Sequence, residues 1–209
     1  MNKSNAARLA VDIGGTFTDV VIEADGQLAT AKVLTTPQAP EEAVLTGIET
    51  VLAQSGLTPA DIGILIHGTT LATNAIIERK GAVTALITTE GFRDILDIAY
   101  ETRFDQYDVF IDKTEPLIPR YLRLSAPERV SVQGEVLLPL DEDAVRALLP
   151  VLDKEGVTSV AVGFLHAYAN DSHERRVREI LNAERPDLLV TLSSEVCPEV
   201  REYERLTTA

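Results

Sequence analysis

Val11-Asp12-Ile13-Gly14-Gly15-Thr16-Phe17-Thr18-Asp19-Val20 sets two glycines and two threonine hydroxyls between two β-type runs, with a carboxylate on either side. Residues 9–13 read as a short buried strand. Residues 17–22 are rich in β-branched and aromatic side chains, so the Gly-Gly-Thr centre has to reverse the chain. Glycine accommodates the positive φ angles that such a reversal is expected to use. With no Cβ on two successive residues, a polyphosphate can approach the backbone N–H groups, and the hydroxyls of Thr16 and Thr18 add donors. Each hydrogen bond to a charged oxygen contributes roughly 1.5–3 kcal/mol. Asp12 repels a bare polyphosphate, so the pattern calls for a divalent cation, Mg2+ with its waters, between this carboxylate and a nucleotide such as ATP. An ordinary hairpin turn is the alternative. A Walker A loop is excluded because no lysine follows the glycines, and the dinucleotide fingerprint because a strand rather than a helix comes next.

Composition bounds the partners. The chain has 209 residues, 45% hydrophobic and 25% charged, enough to bury one large core or two modest ones. A net charge of −14 argues against nucleic acid and anionic membranes, and against any phosphate held by side-chain charge alone. The apolar stretch after Arg8 is interrupted by Asp12, so it lacks the core of a signal peptide, and no run is long enough to span a membrane. A single cysteine, Cys197, excludes an internal disulfide and fits a reducing, cytoplasmic compartment.

Along the chain, residues 9–13, 17–22 and 28–33 read as three strands, the last two joined by an Asp25-Gly26 hairpin turn. Pro40-Glu41-Glu42 opens a helix that Gly56 stops. A short buried strand at 62–66, a helix at 69–80 ended by Gly81 and a strand at 83–88 follow. This alternation predicts a layered α/β core of the RNase H-like kind, with a first subdomain over residues 1–99. Residues 100–128 lack periodicity and read as a long excursion or a substrate-facing insertion. A second α/β segment over residues 100–209 is expected to hold a strand at 130–138 and a helix from Asp141 to about Lys154. A strand buried on both faces at 157–165, a helix from Asn170 or Asp171 to about Ala183, a strand at 188–192 and a helix from Pro198 onward complete it.

The opening stretch resembles the first phosphate motif of the actin, sugar kinase and Hsp70 ATPase superfamily, in the Gly-Gly-Thr-Phe-Thr-Asp form typical of hydantoinase A and 5-oxoprolinase proteins. His67-Gly68-Thr69-Thr70, Ala72-Thr73-Asn74 and Thr88-Thr89-Glu90-Gly91-Phe92-Arg93-Asp94 are similar to the N-terminal region of that family, and Glu202-Tyr203-Glu204-Arg205 resembles the segment leading into its catalytic domain. The resemblance implies an actin/Hsp70-type fold with a mixed sheet, and ATP with Mg2+ as cofactors. It also implies an ATP-dependent hydrolase of cyclic amides, of the hydantoin or 5-oxoproline type, with a hydantoinase B-type subunit as partner. The family includes ATP-dependent acetone and acetophenone carboxylases, so a ketone substrate stays open. A sugar or acyl kinase and a nucleotide-binding module without turnover are further alternatives. Members continue beyond residue 209, with a second phosphate motif and an adenosine-binding segment expected downstream, and the segment by itself is expected to be inactive.

In that scheme Asp12 positions Mg2+, Gly14, Gly15 and Thr16 hold phosphate oxygens, and Thr18 and Asp19 brace the hairpin. His67, Thr69, Thr70 and Asn74 lie between a strand and a helix start and would orient the transferred group. Thr69 as a simple N-cap and His67 as a histidine satisfied by backbone are the competing readings. Arg93 with Asp94, and Arg103 with Asp105, read as solvated surface pairs, and Glu202, Glu204 and Arg205 as a solvated helix face. Cys197 reads as inert, and His166 and His173 lack metal-ligand spacing.

Overall fold

The computed structural model describes residues 6–100 and 107–209. They form two compact units, Met1–Gly81 and Ala82–Ala209.

The first unit runs β1 (Ala7–Ile13), β2 (Phe17–Ala24), β3 (Gln27–Leu34), α1 (Pro40–Ser55), β4 (Ile62–Thr69) and α2 (Leu71–Ile77). The three leading strands make an antiparallel meander, and β4 joins β1 in parallel to give the order β3-β2-β1-β4. This is the mixed sheet that the RNase H-like reading requires. Asp25 (φ 51°) and Gly26 (φ 78°) are both left-handed, as a tight hairpin turn demands, and the Gly26 N–H donates to Glu23 Oε1 at 3.1 Å. Leu9, Val11 and Ile13 alternate inward on β1 and meet Val20 and Ile22 of β2 and Val51 and Leu52 of α1. Pro40 and two acids open α1, and Gly56 (φ 70°) closes it by donating to Leu52 O. Gly47 lets α1 press against Val20, where a side chain has no room.

α1 lies across β2 and β3. β4, at the other side of β1, is exposed along nearly all its length. The buried strand expected at 62–66 is therefore an open edge, because β1 is its one strand neighbour among the described residues. α2 is also shorter than expected, ending at Ile77.

The second unit contains β5 (Thr84–Thr89), α3 (Ile95–Ile98), β6 (Arg123–Ala126), β7 (Arg129–Val130), β8 (Val136–Leu138), α4 (Glu142–Arg146), α5 (Leu149–Lys154), β9 (Ser159–Gly163), α6 (Ser172–Glu184), β10 (Leu189–Leu192), α7 (Ser193–Val196) and α8 (Glu202–Thr208). Its main sheet is wholly parallel, in the order β10-β9-β5-β6. The boundary expected at residue 99 thus moves to 81, since β5 pairs with β6 and β9 and belongs to the later sheet. β9 is buried on both faces, as its continuous apolar run predicts. The single helix expected from Asp141 to Lys154 is two, because the Pro150 ring collides with the carbonyl four residues earlier and lacks an N–H. The strand expected at 130–138 is a small hairpin that turns at Gly134 (φ 85°).

Buried polar groups tie this unit together. Glu174 is fully buried and accepts from the Phe164 N–H (3.1 Å), Ser193 Oγ (2.6 Å), and the Ser194 N–H (3.0 Å) and hydroxyl (2.6 Å). Arg205 is fully buried too, and donates to Ser193 Oγ (3.2 Å), Glu199 O (2.5 Å) and Phe164 O (2.9 Å). The solvated helix face expected at 202–205 is corrected at Arg205, whose guanidinium locks α8 to the loop after β9. Glu128, also buried, bridges Thr89 and His173 Nδ1, the latter at 2.8 Å.

Arg93 and Asp94 do not pair with each other. Arg93 donates to Arg120 O at 3.1 Å, while Asp94 takes a two-pronged contact from Arg120 at 2.7 and 2.9 Å. Arg103 and Asp105 lie outside the described residues.

Candidate functional site

The β1–β2 turn is built from inside. Gly14 donates its N–H to Phe17 O (2.9 Å), and its carbonyl accepts from the Thr35 hydroxyl (2.9 Å). The Thr35 N–H in turn reaches Thr16 O (2.9 Å), and its hydroxyl meets that of Thr18 at 3.0 Å. Thr18 is fully buried. Its hydroxyl therefore stitches the turn to the end of β3, and the expectation that it donates to phosphate does not hold. Gly14 likewise has no N–H to offer. Asp19 pairs with Lys32 of the neighbouring strand at 2.7 Å, a brace across β2–β3.

Neither Gly14 nor Gly15 has a positive φ, so the dihedral reason for the glycine pair is overturned. The reason is clearance. A Cβ on Gly14 would stand 2.9 Å from Phe17 O, and one on Gly15 would stand 2.9 Å from Asn74 Nδ2. The turn leaves Gly15 and Thr16 exposed, and the Gly15 N–H, the Thr16 N–H and the Thr16 hydroxyl take no partner among the described residues.

β4 supplies the second wall. Pairing in register with β1 sets Gly68 beside Asp12, and a Cβ on Gly68 would lie 3.5 Å from Asp12 Oδ1. Asp12 is exposed, and its carboxylate has no ion-pair or hydrogen-bond partner among the described residues. The Thr70 N–H donates to Ile13 O (3.1 Å), which anchors the start of α2 to the turn, and Asn74 Nδ2 reaches Thr70 Oγ1 at 3.4 Å. Thr69 is occupied locally, donating to Ile13 O (3.3 Å) and accepting from the Leu71 N–H (3.2 Å). The structure thus brings Asn74 beside both Gly15 and Thr70 at the turn, and sets Asp12 beside Gly68, one residue before the end of β4. His67 does not join them. It sits beside Val11 on the face opposite Asp12, because side chains alternate along a strand.

Thr35 escaped the sequence reading. Nothing local marks it, since its partners stand 17 and 21 residues away. Among the described residues no group of three or more His, Cys, Asp or Glu could hold a metal by protein ligands alone. A cation here would need phosphate oxygens and water to complete its shell, which suits Mg2+. The cleared Gly15 and the unpaired Asp12 carboxylate fit a metal–polyphosphate group.

Residues 8–185 match the hydantoinase/oxoprolinase N-terminal region. The chain belongs to this family. Caprolactamase subunit alpha from Pseudomonas jessenii is 35% identical over 96% of this chain and 30% of its own length, and its crystal structure superposes with a TM-score of 0.81. The 5-oxoprolinase of Saccharomyces cerevisiae is 34% identical over 96% of this chain and 18% of its own. The nucleotide-free structure of acetone carboxylase gives a TM-score of 0.84 at 27% identity, covering 96% of this chain and 31% of that one. The chain therefore spans about a third or less of these relatives. They include an ATP-dependent lactamase, an oxoprolinase and an ATP-dependent carboxylase, and caprolactamase alpha is named as a subunit. No helix among the described residues is long and apolar enough to cross a membrane.

Proposed function

We propose that the opening between the β1–β2 turn and the start of α2 receives the phosphate end of Mg-ATP, as the N-terminal part of an ATP-dependent cyclic-amide hydrolase. ATP supplies a phosphoryl group that activates an unstrained amide oxygen so that water can open the ring. Asp12 holds the cation through its waters. The N–H groups of Gly15 and Thr16 and the Thr16 hydroxyl bind phosphate oxygens, while Asn74 and Thr70 orient the group next to them. Thr18, Thr35 and Asp19 keep the turn rigid, so that the donors are aimed before anything binds. The observation that carries this reading is the clearance at Gly15, where a Cβ would meet the Asn74 amide at 2.9 Å beside an unpaired carboxylate.

The relatives named for caprolactam and 5-oxoproline favour a ring-opening role. The acetone carboxylase likeness supports a second reading, in which the phosphoryl group goes to a ketone-derived enolate or to bicarbonate. In either reading a hydantoinase B-type subunit completes the assembly in the cytoplasm.

Calorimetric titration with Mg-ATP tests the site, together with ATPase assays on caprolactam, 5-oxoproline and acetone using this chain and a polypeptide of the relatives' full length. Binding to the wild type that is lost in Gly15→Val and Asp12→Asn is the expected result. Unchanged affinity in both variants would refute the assignment.

A further inference from the structure

The main sheet of the second unit reverses its direction of growth. β6 is laid on one side of β5, then β9 and β10 on the other, and all four strands are parallel. The strand order therefore switches between β5 and β9. The chain leaving β5 turns to α3, on the face of Leu86 and Ala161, and the chain leaving β9 turns to α6, on the face of Ala85 and Val162. Loops that part in this way leave a crevice beyond the carboxyl ends of the strands, where open α/β sheets bind small molecules. The Leu165 N–H donates to Thr89 Oγ1 at 3.0 Å and ties the two loops together at its floor.

His166 is the next residue. Its backbone is left-handed, with φ at 57°, and its carbonyl accepts from the Ala169 N–H (2.9 Å) and the Asn170 N–H (3.3 Å). Glycine or asparagine would take that conformation more readily, so an imidazole held there against backbone preference points to use of the ring. The two ring nitrogens differ in their surroundings. Nδ1 is buried and has no hydrogen bond among the described residues, and it lies 3.8 Å from Glu202 Oε1, which is buried and unbonded as well. The Arg205 guanidinium stands 3.6 Å from the same oxygen and passes over the ring of Tyr168, which meets His166 edge-on. The His166 side chain is nonetheless 31% exposed, so what reaches solvent is the far side of the ring, where Nε2 is. His173 shows the contrast. It too has a carboxylate at Nδ1, Glu128 at 2.8 Å, but its side chain is 11% exposed and offers little to a ligand.

A carboxylate behind one nitrogen and solvent in front of the other is the arrangement that fixes a histidine tautomer, with the proton on Nδ1 and the lone pair on Nε2. Gaps of this size between base and orienting group close when a ligand is in place. We infer that the crevice is a second ligand site, in which His166 Nε2 accepts the N–H or O–H proton of a small uncharged molecule and Glu202 is the positioning residue that holds the imidazole. When the proton moves, the bond pair stays on the ligand, the Nε2 lone pair forms the new N–H bond, and Glu202 balances the imidazolium. Glu90, exposed one residue beyond Thr89, and Glu202 make the mouth acidic, which selects against an anion. A lactam, uncharged and carrying an N–H, is the member of this class that the proposed function supplies, and only this choice of ligand rests on that reading.

Nitrogen NMR of the chain labelled with 15N-histidine tests the site in the absence of nucleotide. His166 is expected in the Nδ1–H tautomer, and Glu202→Ala is expected to return it to the Nε2–H form that free histidine prefers. His166→Asn, which suits the left-handed backbone, identifies its signals. Caprolactam is expected to shift the Nε2 resonance and to bind roughly tenfold more tightly than N-methylcaprolactam, the effect of one hydrogen bond. That preference, read by saturation transfer to the ligand, is expected to vanish in His166→Asn. An Nε2–H tautomer in the wild type overturns the role of Glu202, and an equal response to the two lactams, or none, overturns the site. A failed Mg-ATP titration leaves these results standing, and a failed lactam titration leaves the assignment of the β1–β2 turn standing.

Discussion

Replacing Glu174 with alanine removes the acceptor of four hydrogen bonds at a fully buried position. Two of the abandoned donors, the Phe164 N–H and the Ser193 hydroxyl, are buried, and each buried polar group left unsatisfied costs about 1–3 kcal/mol. The Ser193 hydroxyl also links Glu174 to Arg205, whose own ion-pair partner is Glu202 at 3.6 Å. Two such unsatisfied donors make a loss of about 2–6 kcal/mol the expected result for the second unit. Arg205→Met should cost less, because the carbonyls of Phe164 and Glu199 tolerate a missing donor and Glu174 keeps all four of its own. The double variant should fall short of additivity by at least ~1 kcal/mol, since the two residues share Ser193. The chain has no tryptophan. Urea unfolding is accordingly followed by circular dichroism, with hydrogen exchange over α6 and α8 to assign the transition to this unit. A loss below ~1 kcal/mol for Glu174→Ala, or strict additivity, would refute the idea that one coupled network fastens α8.

Thr35→Val should cost the first unit about 1–3 kcal/mol, because it strips the Gly14 carbonyl and the Thr18 hydroxyl of their partner. Mg-ATP affinity should fall in parallel, both read by thermal unfolding with and without nucleotide. Gly47→Ala should destabilise the same unit by about 1–3 kcal/mol through overpacking against Val20, outweighing a helix-propensity gain of at most ~1 kcal/mol, as denaturant titration would reveal. The Arg185 guanidinium holds the Asp187 carboxyl down at about 2. Its folded value lies below its unfolded one, so the stabilisation is complete above the ordinary value of 3.8 and disappears as pH falls through about 2. A 13C-detected carboxyl titration should show that midpoint, and Arg185→Gln should return it toward 3.8.

Features whose cause is local were legible in the sequence. Asp25-Gly26 announces its hairpin because both residues must be left-handed, Gly56 announces the end of α1 for the same reason, and the apolar run at 159–163 announces a strand buried on both faces. Features whose cause is a distant neighbour were not. The run at 62–66 looks like 159–163 in isolation, and what separates them is that β9 lies between two strands while β4 has β1 alone among the described residues. Arg205 looks like part of a solvated helix until the loop after β9 and the start of α7 close around it. The break at Pro150 was legible in principle, since the ring's clash with the preceding turn is a local rule. Helical periodicity on both sides masked it.

The glycine pair carries the same distinction into the site. Were Gly14 and Gly15 needed for positive φ, any side chain would strain the backbone, and loss of function on substitution would say nothing about a ligand. Their φ angles are ordinary, so the requirement is space, and it is set by Phe17 on one side and by Asn74, 59 residues further along the chain, on the other. Asn74 is a side chain that can move aside, whereas a backbone carbonyl such as Phe17 O cannot. A methyl at Gly15 can therefore be accommodated by the protein at the expense of the opening itself, which makes Gly15 the position where fold and ligand separate. The donors left facing that opening are two backbone N–H groups and one hydroxyl, next to a carboxylate, on a chain of charge −14. Such a set holds a polyphosphate only when a cation offsets Asp12, so in the proposed site metal and nucleotide bind as one species.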